Sequence, residues 1–183
     1  YHVLITDSFG CFIDTSYTVV ELNEIVFNDS IIDLSCYESD DGEIYIKHVT
    51  GGTGVYSYSW NAFPDSTNSS ISNLTIGTYF LKVVSFLNVL DTIGCSAFDT
   101  ITVSQPNPLQ SVILQTTDAS CNGFADASGS ISVSGGTPPY QYSWSVGSST
   151  DSTISDVAAG TYVAFITDAN GCQDTIELTF EEP

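Results

Sequence analysis

The chain has 183 residues, 42% of them apolar, which is enough for one or two domains with real cores. Twenty-two acidic side chains stand against two basic ones, Lys47 and Lys82, for a formal net charge of −20. That balance argues against nucleic acid, which needs a basic stripe for its phosphates, and against an anionic membrane surface, while it favours solubility and attracts cations.

No run approaches the roughly 18 uninterrupted apolar residues of a membrane span, so no direct membrane insertion is expected. The chain opens inside what reads as a strand, as a piece of something longer would. Residues 1–24 read as the C-terminal part of a truncated repeat, with Thr6-Asp7, Gly10-Cys11 and Thr18 as its landmarks. The first complete repeat covers 25–107. It holds Cys36, the acidic turn Asp40-Asp41-Gly42-Glu43 and a long strand over 43–49 that is expected to be bulged. Gly51-Gly52 breaks the chain before Tyr56-Ser57-Tyr58-Ser59-Trp60, whose two-residue period is that of a half-buried strand. Gly77-Thr78-Tyr79 opens a later strand. An expanded apolar hairpin from Ser85 to Gly94 then leads to Cys95 and Thr102.

The second complete repeat, 108–183, restates these phrases in order. Cys121 answers Cys36, and Gly135-Gly136 answers Gly51-Gly52. Trp144 answers Trp60, Gly160-Thr161-Tyr162 answers Gly77-Thr78-Tyr79, and Gly171-Cys172 answers Gly94-Cys95. Self-similarity of this kind marks a repeat architecture. Asp168-Ala169-Asn170-Gly171 is a hairpin signal, because Asn-Gly tolerates positive φ. The short joins near Leu22–Ile25 and Pro106–Pro108 imply semi-rigid beads on a rod.

Each repeat reads as about six or seven short strands without helical periodicity. The expected class is all-β: tandem immunoglobulin-like β-sandwich modules in a linear array. In such a sandwich Trp60 and Trp144 fill the space between the sheets, and Tyr79 and Tyr162 form tyrosine corners. The alternative for the aromatics is a sugar-stacking platform.

Together these phrases resemble the SprB repeat of Bacteroidota cell-surface adhesins. The residues that carry the resemblance are Cys121-Asn122-Gly123, Gly129 to Val133, Ser134 to Tyr140, Tyr142 to Ser145, Ala159 to Tyr162 and Thr167 to Cys172. The resemblance implies a structural stalk or filament segment of a long secreted protein. Such a segment would be extracellular, exported by the type IX system, and used in surface adhesion and gliding. Its partners would be neighbouring repeats and possible polysaccharide ligands of the cell surface. A polysaccharide-binding module, or a spacer in a secreted enzyme, is the competing reading.

None of the five cysteines lies in a C-x-x-C pair, so zinc and thioredoxin-like chemistry are disfavoured and disulfides expected. Two wirings compete. Within repeats, Cys36 would join Cys95 and Cys121 would join Cys172; across repeats, Cys36 would join Cys172. The immunoglobulin-like topology puts the two cysteines of one repeat at opposite ends, about 20 Å apart, beyond the ~7 Å Cα limit of a disulfide. That leans towards the crossed wiring without closing the question.

Catalysis is not expected. His2 and His48 lie in no metal-binding or triad-like motif, and no phosphate-cradling Gly-x-x-x-x-Gly-Lys occurs. No cofactor is expected beyond a weak calcium candidate, Asp40, Asp41 and Glu43, whose hard oxygens in a turn suit that ion but lack EF-hand spacing. Asp-Ser/Thr followed by an aliphatic residue or Thr resembles the O-glycan acceptor motif of this bacterial group. Among its occurrences Ser66 and Ser152, in expected loops, are the candidate O-glycosylation sites.

Overall fold

A computed structural model of the chain describes residues 1–18, 21–61, 66–86, 95–147 and 149–183. Regular structure among the described residues is entirely β. A hairpin comes first, β1 (His2–Thr6) running antiparallel to β2 (Phe12–Ser16). Within 25–107 come β3 (Val26–Ile32), β4 (Gly42–Thr50), β5 (Tyr56–Trp60), β6 (Ser70–Leu74), β7 (Gly77–Ser85) and β8 (Cys95–Val103). Within 108–183 come β9 (Gln110–Thr117), β10 (Ala127–Ser134), β11 (Gln141–Trp144), β12 (Thr153–Val157), β13 (Gly160–Thr167) and β14 (Gln173–Phe180).

Hydrogen bonding sorts both sets alike. The first, second and fourth strands make one sheet, β3-β4-β6 or β9-β10-β12, with the second strand central. The third, fifth and sixth make the other, β5-β7-β8 or β11-β13-β14, with the fifth central. This exchange of strands between two sheets is the immunoglobulin-like pattern. The bulge expected in β4 is present as a register shift between Gly42 and Glu43. A corresponding shift between Ala127 and Gly129 in β10 makes it a property of both copies.

The chain divides into two compact units. One holds Tyr1–Asp29, Ile46–Ser69 and Phe80–Asp99; the other holds Ser30–Tyr45, Ser70–Tyr79 and Thr100–Pro183. In the first unit Trp60 is 1% exposed, and its Nε1–H donates to Asn68 O at 3.0 Å. In the second unit Trp144 is 7% exposed and donates to Asp151 O at 3.0 Å. An indole can be buried this way because its one polar atom finds a carbonyl. Around Trp144 pack Ile131, Ile154, Ile166, Leu178 and Phe180, drawn from both sheets by the inward half of each strand's alternation.

Tyr79, buried, donates its hydroxyl to Thr75 O at 2.8 Å, and the half-buried Tyr162 donates to Ala158 O at 2.9 Å. These bonds back to the chain four residues upstream are tyrosine corners at the start of β7 and β13. Tyr56 and Tyr140 reach instead to the glycine turns, donating to Gly51 O at 2.7 Å and Gly135 O at 2.6 Å.

The glycine pairs touch the joins that precede each copy. Gly52 N–H donates to Asn23 O at 2.8 Å and Gly136 N–H to Asn107 O at 2.9 Å. A Cβ on Gly51 would lie 1.8 Å from Glu24 O, and one on Gly135 1.9 Å from Pro108 O. Both residues also sit at positive φ, 82° and 72°. Only glycine satisfies both demands.

Gly147 provides the control, since it has φ +78° but open space around its missing Cβ. Gly147→Ala should cost only the left-handed strain, about 1 kcal/mol. Gly135→Ala adds a backbone collision and should exceed it by about 2 kcal/mol or more. Urea unfolding of the two variants measures the difference; equal losses would mean that the join does not bear on Gly135.

Candidate functional site: the Cys36–Cys172 disulfide

The loop between β3 and β4 carries Cys36. Its backbone is organised by Asp41, whose Oδ1 accepts Ser35 N–H at 3.1 Å and the Ser39 hydroxyl at 2.5 Å. Ser39 also donates its hydroxyl to Cys36 O at 3.0 Å. Glu38 sits at φ 57° and donates its N–H to Gln105 Oε1 at 2.9 Å. The hydroxyl of Ser35 foremost, then the hydroxyl of Ser39 and the backbone of Ser35, hold the Asp41 carboxyl down at about 2.

The hairpin between β13 and β14 carries Cys172. Asp168 is buried at its base, with Oδ1 accepting the N–H groups of Asn170 and Cys172, each at 2.9 Å. Its Oδ2 accepts Thr137 N–H at 2.7 Å. Gly171 at φ 87° closes the turn. The hairpin thus presents Cys172 on a braced support.

Cys36 and Cys172 form a disulfide, S–S 2.01 Å and Cα–Cα 5.8 Å, across a sequence separation of 136 residues. Beside it Asn170 Nδ2 donates to Ser35 O at 2.9 Å. Both partners lie in the second compact unit. Of the two wirings left open by the sequence, the structure has the crossed one.

The within-copy pairings Cys36–Cys95 and Cys121–Cys172 are therefore corrected. Cys95 and Cys121, expected in disulfides, are free and exposed, as is Cys11. The physical reason is visible in the second copy. Cys172 precedes β14, whereas the Cys121 loop bonds to residues that follow it: Ala119 N–H to Glu181 O and Gly123 N–H to Glu182 Oε2. The eight-residue length of β14, about 26 Å, lies between them.

The calcium candidates do not converge. Asp41 is engaged in bracing the Cys36 loop, and no group of three or more His, Cys, Asp or Glu among the described residues could hold a metal ion. Ser66 and Ser152, both half-buried, lie outside the strands, before β6 and β12. Most of the expanded hairpin expected over 85–94 falls outside the described residues. Sequence reasoning missed Asp168, whose signal was its place at the start of the Asp-Ala-Asn-Gly turn. It also missed Asn170 as a donor to the partner loop.

Closing a loop of 136 residues removes about 5 kcal/mol of unfolded-chain entropy by the loop-closure relation. Cys36→Ser should lower the unfolding free energy by about 2–5 kcal/mol in urea titration, and reductant should do the same to the native protein. Cys121→Ser should change nothing.

Asp41 adds a pH dependence. A carboxyl lowered in the fold contributes stability that is complete above its unfolded value of 3.8 and is lost as pH falls through about 2. The Cys36 loop should keep its brace down to about pH 4 and loosen below. NMR titration of the Asp41 carboxyl carbon should give a midpoint near 2, and Ser39→Ala should raise it.

Comparison with curated proteins finds no match. Among solved structures, one described as the amphioxus IgVJ-C2 molecule is similar at 12% identity, over 86% of this chain and 96% of that one, with a TM-score of 0.34. The family model for the SprB repeat matches residues 28–62 and 113–149, one stretch in each complete copy and both spanning the tryptophan strand or its approach. Two stretches of the chain, each holding one of the two tryptophans, are thus similar to the SprB repeat.

Proposed function

We propose that this chain is a load-bearing stalk segment of a long surface filament used in adhesion and gliding. At the coarser level, the SprB matches make it a repeat segment of a Bacteroidota surface protein. With the β-sandwich fold they speak for a structural, non-enzymatic module. The family and the disulfide both agree with an extracellular location. Export by the type IX system belongs to the proposal.

The observation that carries the reading is the place of the disulfide in the covalent path. It joins residues 36 and 172, so tension applied at the two ends passes through the sulfur bridge. Strands β4 to β13 lie inside the closed loop and are shielded from that tension. A tether gains from this arrangement, because its modules need not resist force by hydrogen bonds alone. The competing sugar-platform reading has lost its strongest candidates, since both indoles are core residues.

Pulling the chain by its ends in a force spectrometer tests the proposal. With the disulfide intact, the segment enclosed by residues 36 and 172 should contribute no extension. Added reductant should release roughly 450–490 Å more, the extended length of 136 residues. Equal extensions with and without reductant would remove the shielded load path, and with it the support for a stalk role.

A further inference from the structure

Two asparagines of the chain are followed by glycine, in Asn122-Gly123 and Asn170-Gly171. In such a pair the glycine nitrogen can attack the carboxamide carbon of the asparagine, because no Cβ shields it. Gly171 is open to that attack. It sits at φ 87°, and nothing lies within 4 Å of the place a Cβ would take. Asn170 is itself exposed to the water that completes the reaction.

The closed bridge opposes it. Ring closure requires Cγ of Asn170 to swing onto the Gly171 nitrogen. Asn170 Nδ2 is held elsewhere, donating to Ser35 O at 2.9 Å and to Thr137 Oγ1 at 3.2 Å. Gly171 N–H donates to Asp168 O at 3.1 Å. Removing its proton would set a second negative charge beside the buried Asp168 carboxylate, whose Oδ1 accepts Asn170 N–H at 2.9 Å. The bond to Ser35 spans 135 residues of sequence, and the adjacent Cys36–Cys172 bridge is the covalent tie that keeps its partners together. Asn122 is restrained without the bridge: its Nδ2 donates to Glu182 Oε1 at 3.0 Å, and Gly123 N–H donates to Glu182 Oε2 at 2.7 Å.

We propose that Asn170 is a latent deamidation site, held unreactive while the Cys36–Cys172 bridge is closed, and that its reaction after reduction keeps the bridge from re-forming. Reduction frees the Cys36 loop to leave, and Ser35 O then no longer holds Nδ2. The product carries an oxygen where Nδ2 was, so an acceptor faces the Ser35 carbonyl in place of a donor. Its new carboxylate also stands beside Asp168, in a chain already at −20. An isoaspartyl product further lengthens the backbone by a methylene inside the turn that Asp168 organises, and displaces Cys172 from its bonded position. A reversible redox change is thereby made permanent, whether or not the chain bears load.

A dithiol reduces the Cys36–Cys172 bridge to two thiols and itself becomes a cyclic disulfide. The Gly171 nitrogen gives its proton to solvent base and bonds to Asn170 Cγ. The Cγ–Nδ2 bond breaks, and Nδ2 leaves as ammonia with a proton from water. Water then opens the resulting succinimide at either carbonyl. Cleavage of the new C–N bond gives aspartate, and cleavage of the original peptide C–N bond gives isoaspartate. The net change after reduction is one water taken up and one ammonia released.

The test incubates the full chain in warm, mildly alkaline buffer with and without dithiothreitol. Peptide mass spectrometry follows ammonia loss and isoaspartate at both asparagines. Reductant should speed the reaction at Asn170 about fivefold, the worth of one net hydrogen bond, and leave Asn122 unchanged. Cys36→Ser should show the faster rate without reductant. Equal rates at Asn170 in the two buffers would overturn the inference, and so would an equal acceleration at Asn122, which would mean general unfolding. The aged, reduced chain is then reoxidised with glutathione disulfide. Recovery of Cys36–Cys172 should fall in proportion to the Asn170 modified. Asn170→Asp should re-form the bridge several-fold less readily from the start, and Asn170→Gln, which keeps an amide that cyclises far more slowly, should lose less on ageing than the native chain. Full recovery of the bridge in modified chains would sink the proposal.

Discussion

A buried carboxylate governs the geometry on which the junction depends. Burial by itself raises the pKa of Asp168 by disfavouring the charge, and the N–H groups of Thr137, Cys172, Asn170 and Gly171 together outweigh it, so the group is held below its ordinary range. A charge that must be met by fixed donors fixes those donors in turn. Asp168 therefore pins the tip of one hairpin and ties it to the turn after Gly136, where an added Cβ would stand 2.7 Å from Oδ2. The direction in which Cys172 points follows from that carboxylate. In the first copy a neutral group does the corresponding work: Ser85 is buried, and its Oγ accepts Thr53 N–H at 2.8 Å.

From this constraint the division of labour in the molecule becomes clear. Strand alternation and one hydrogen-bonded indole per copy build the interiors. The glycine pairs, by contrast, face the joins, where they let the incoming backbone approach to hydrogen-bond distance. The loops at the strand ends face outward with their cysteines. Core and coupling residues are thus interleaved in the same short phrases. One phrase, Gly-Gly followed by alternating aromatics, serves the join with its glycines and the interior with its tryptophan.

Much of the fold was legible because its signals are local. The period of Tyr140-Gln141-Tyr142-Ser143-Trp144 specifies a strand with one buried face, and Gly160-Thr161-Tyr162 specifies a tyrosine that bonds four residues back. Repetition made each signal stronger, since a chance pattern does not recur in the same order. The candidate site was less legible. Asp41 read as a weak hard-oxygen candidate beside the plainer reading of a solvated acidic turn, because such a turn looks the same in sequence whether its carboxylate faces an ion, water or its own loop's N–H and hydroxyl donors. The cysteines left two wirings open with a lean towards the crossed one, because spacing alone carries no information about which ends of a sandwich meet.

By itself, then, the sequence determined the class, the strand phrases, the buried indoles and the acidic, repeat-bearing character of the chain, all of which arise from side-chain chemistry acting over a few residues. The tertiary structure alone decided that Cys36 meets Cys172, that Cys95 and Cys121 stay free, and that Asp168 braces the hairpin between them. Those outcomes depend on which strand ends come together across more than a hundred residues, and the length of β14, rather than any local pattern, keeps the two cysteines of one copy apart.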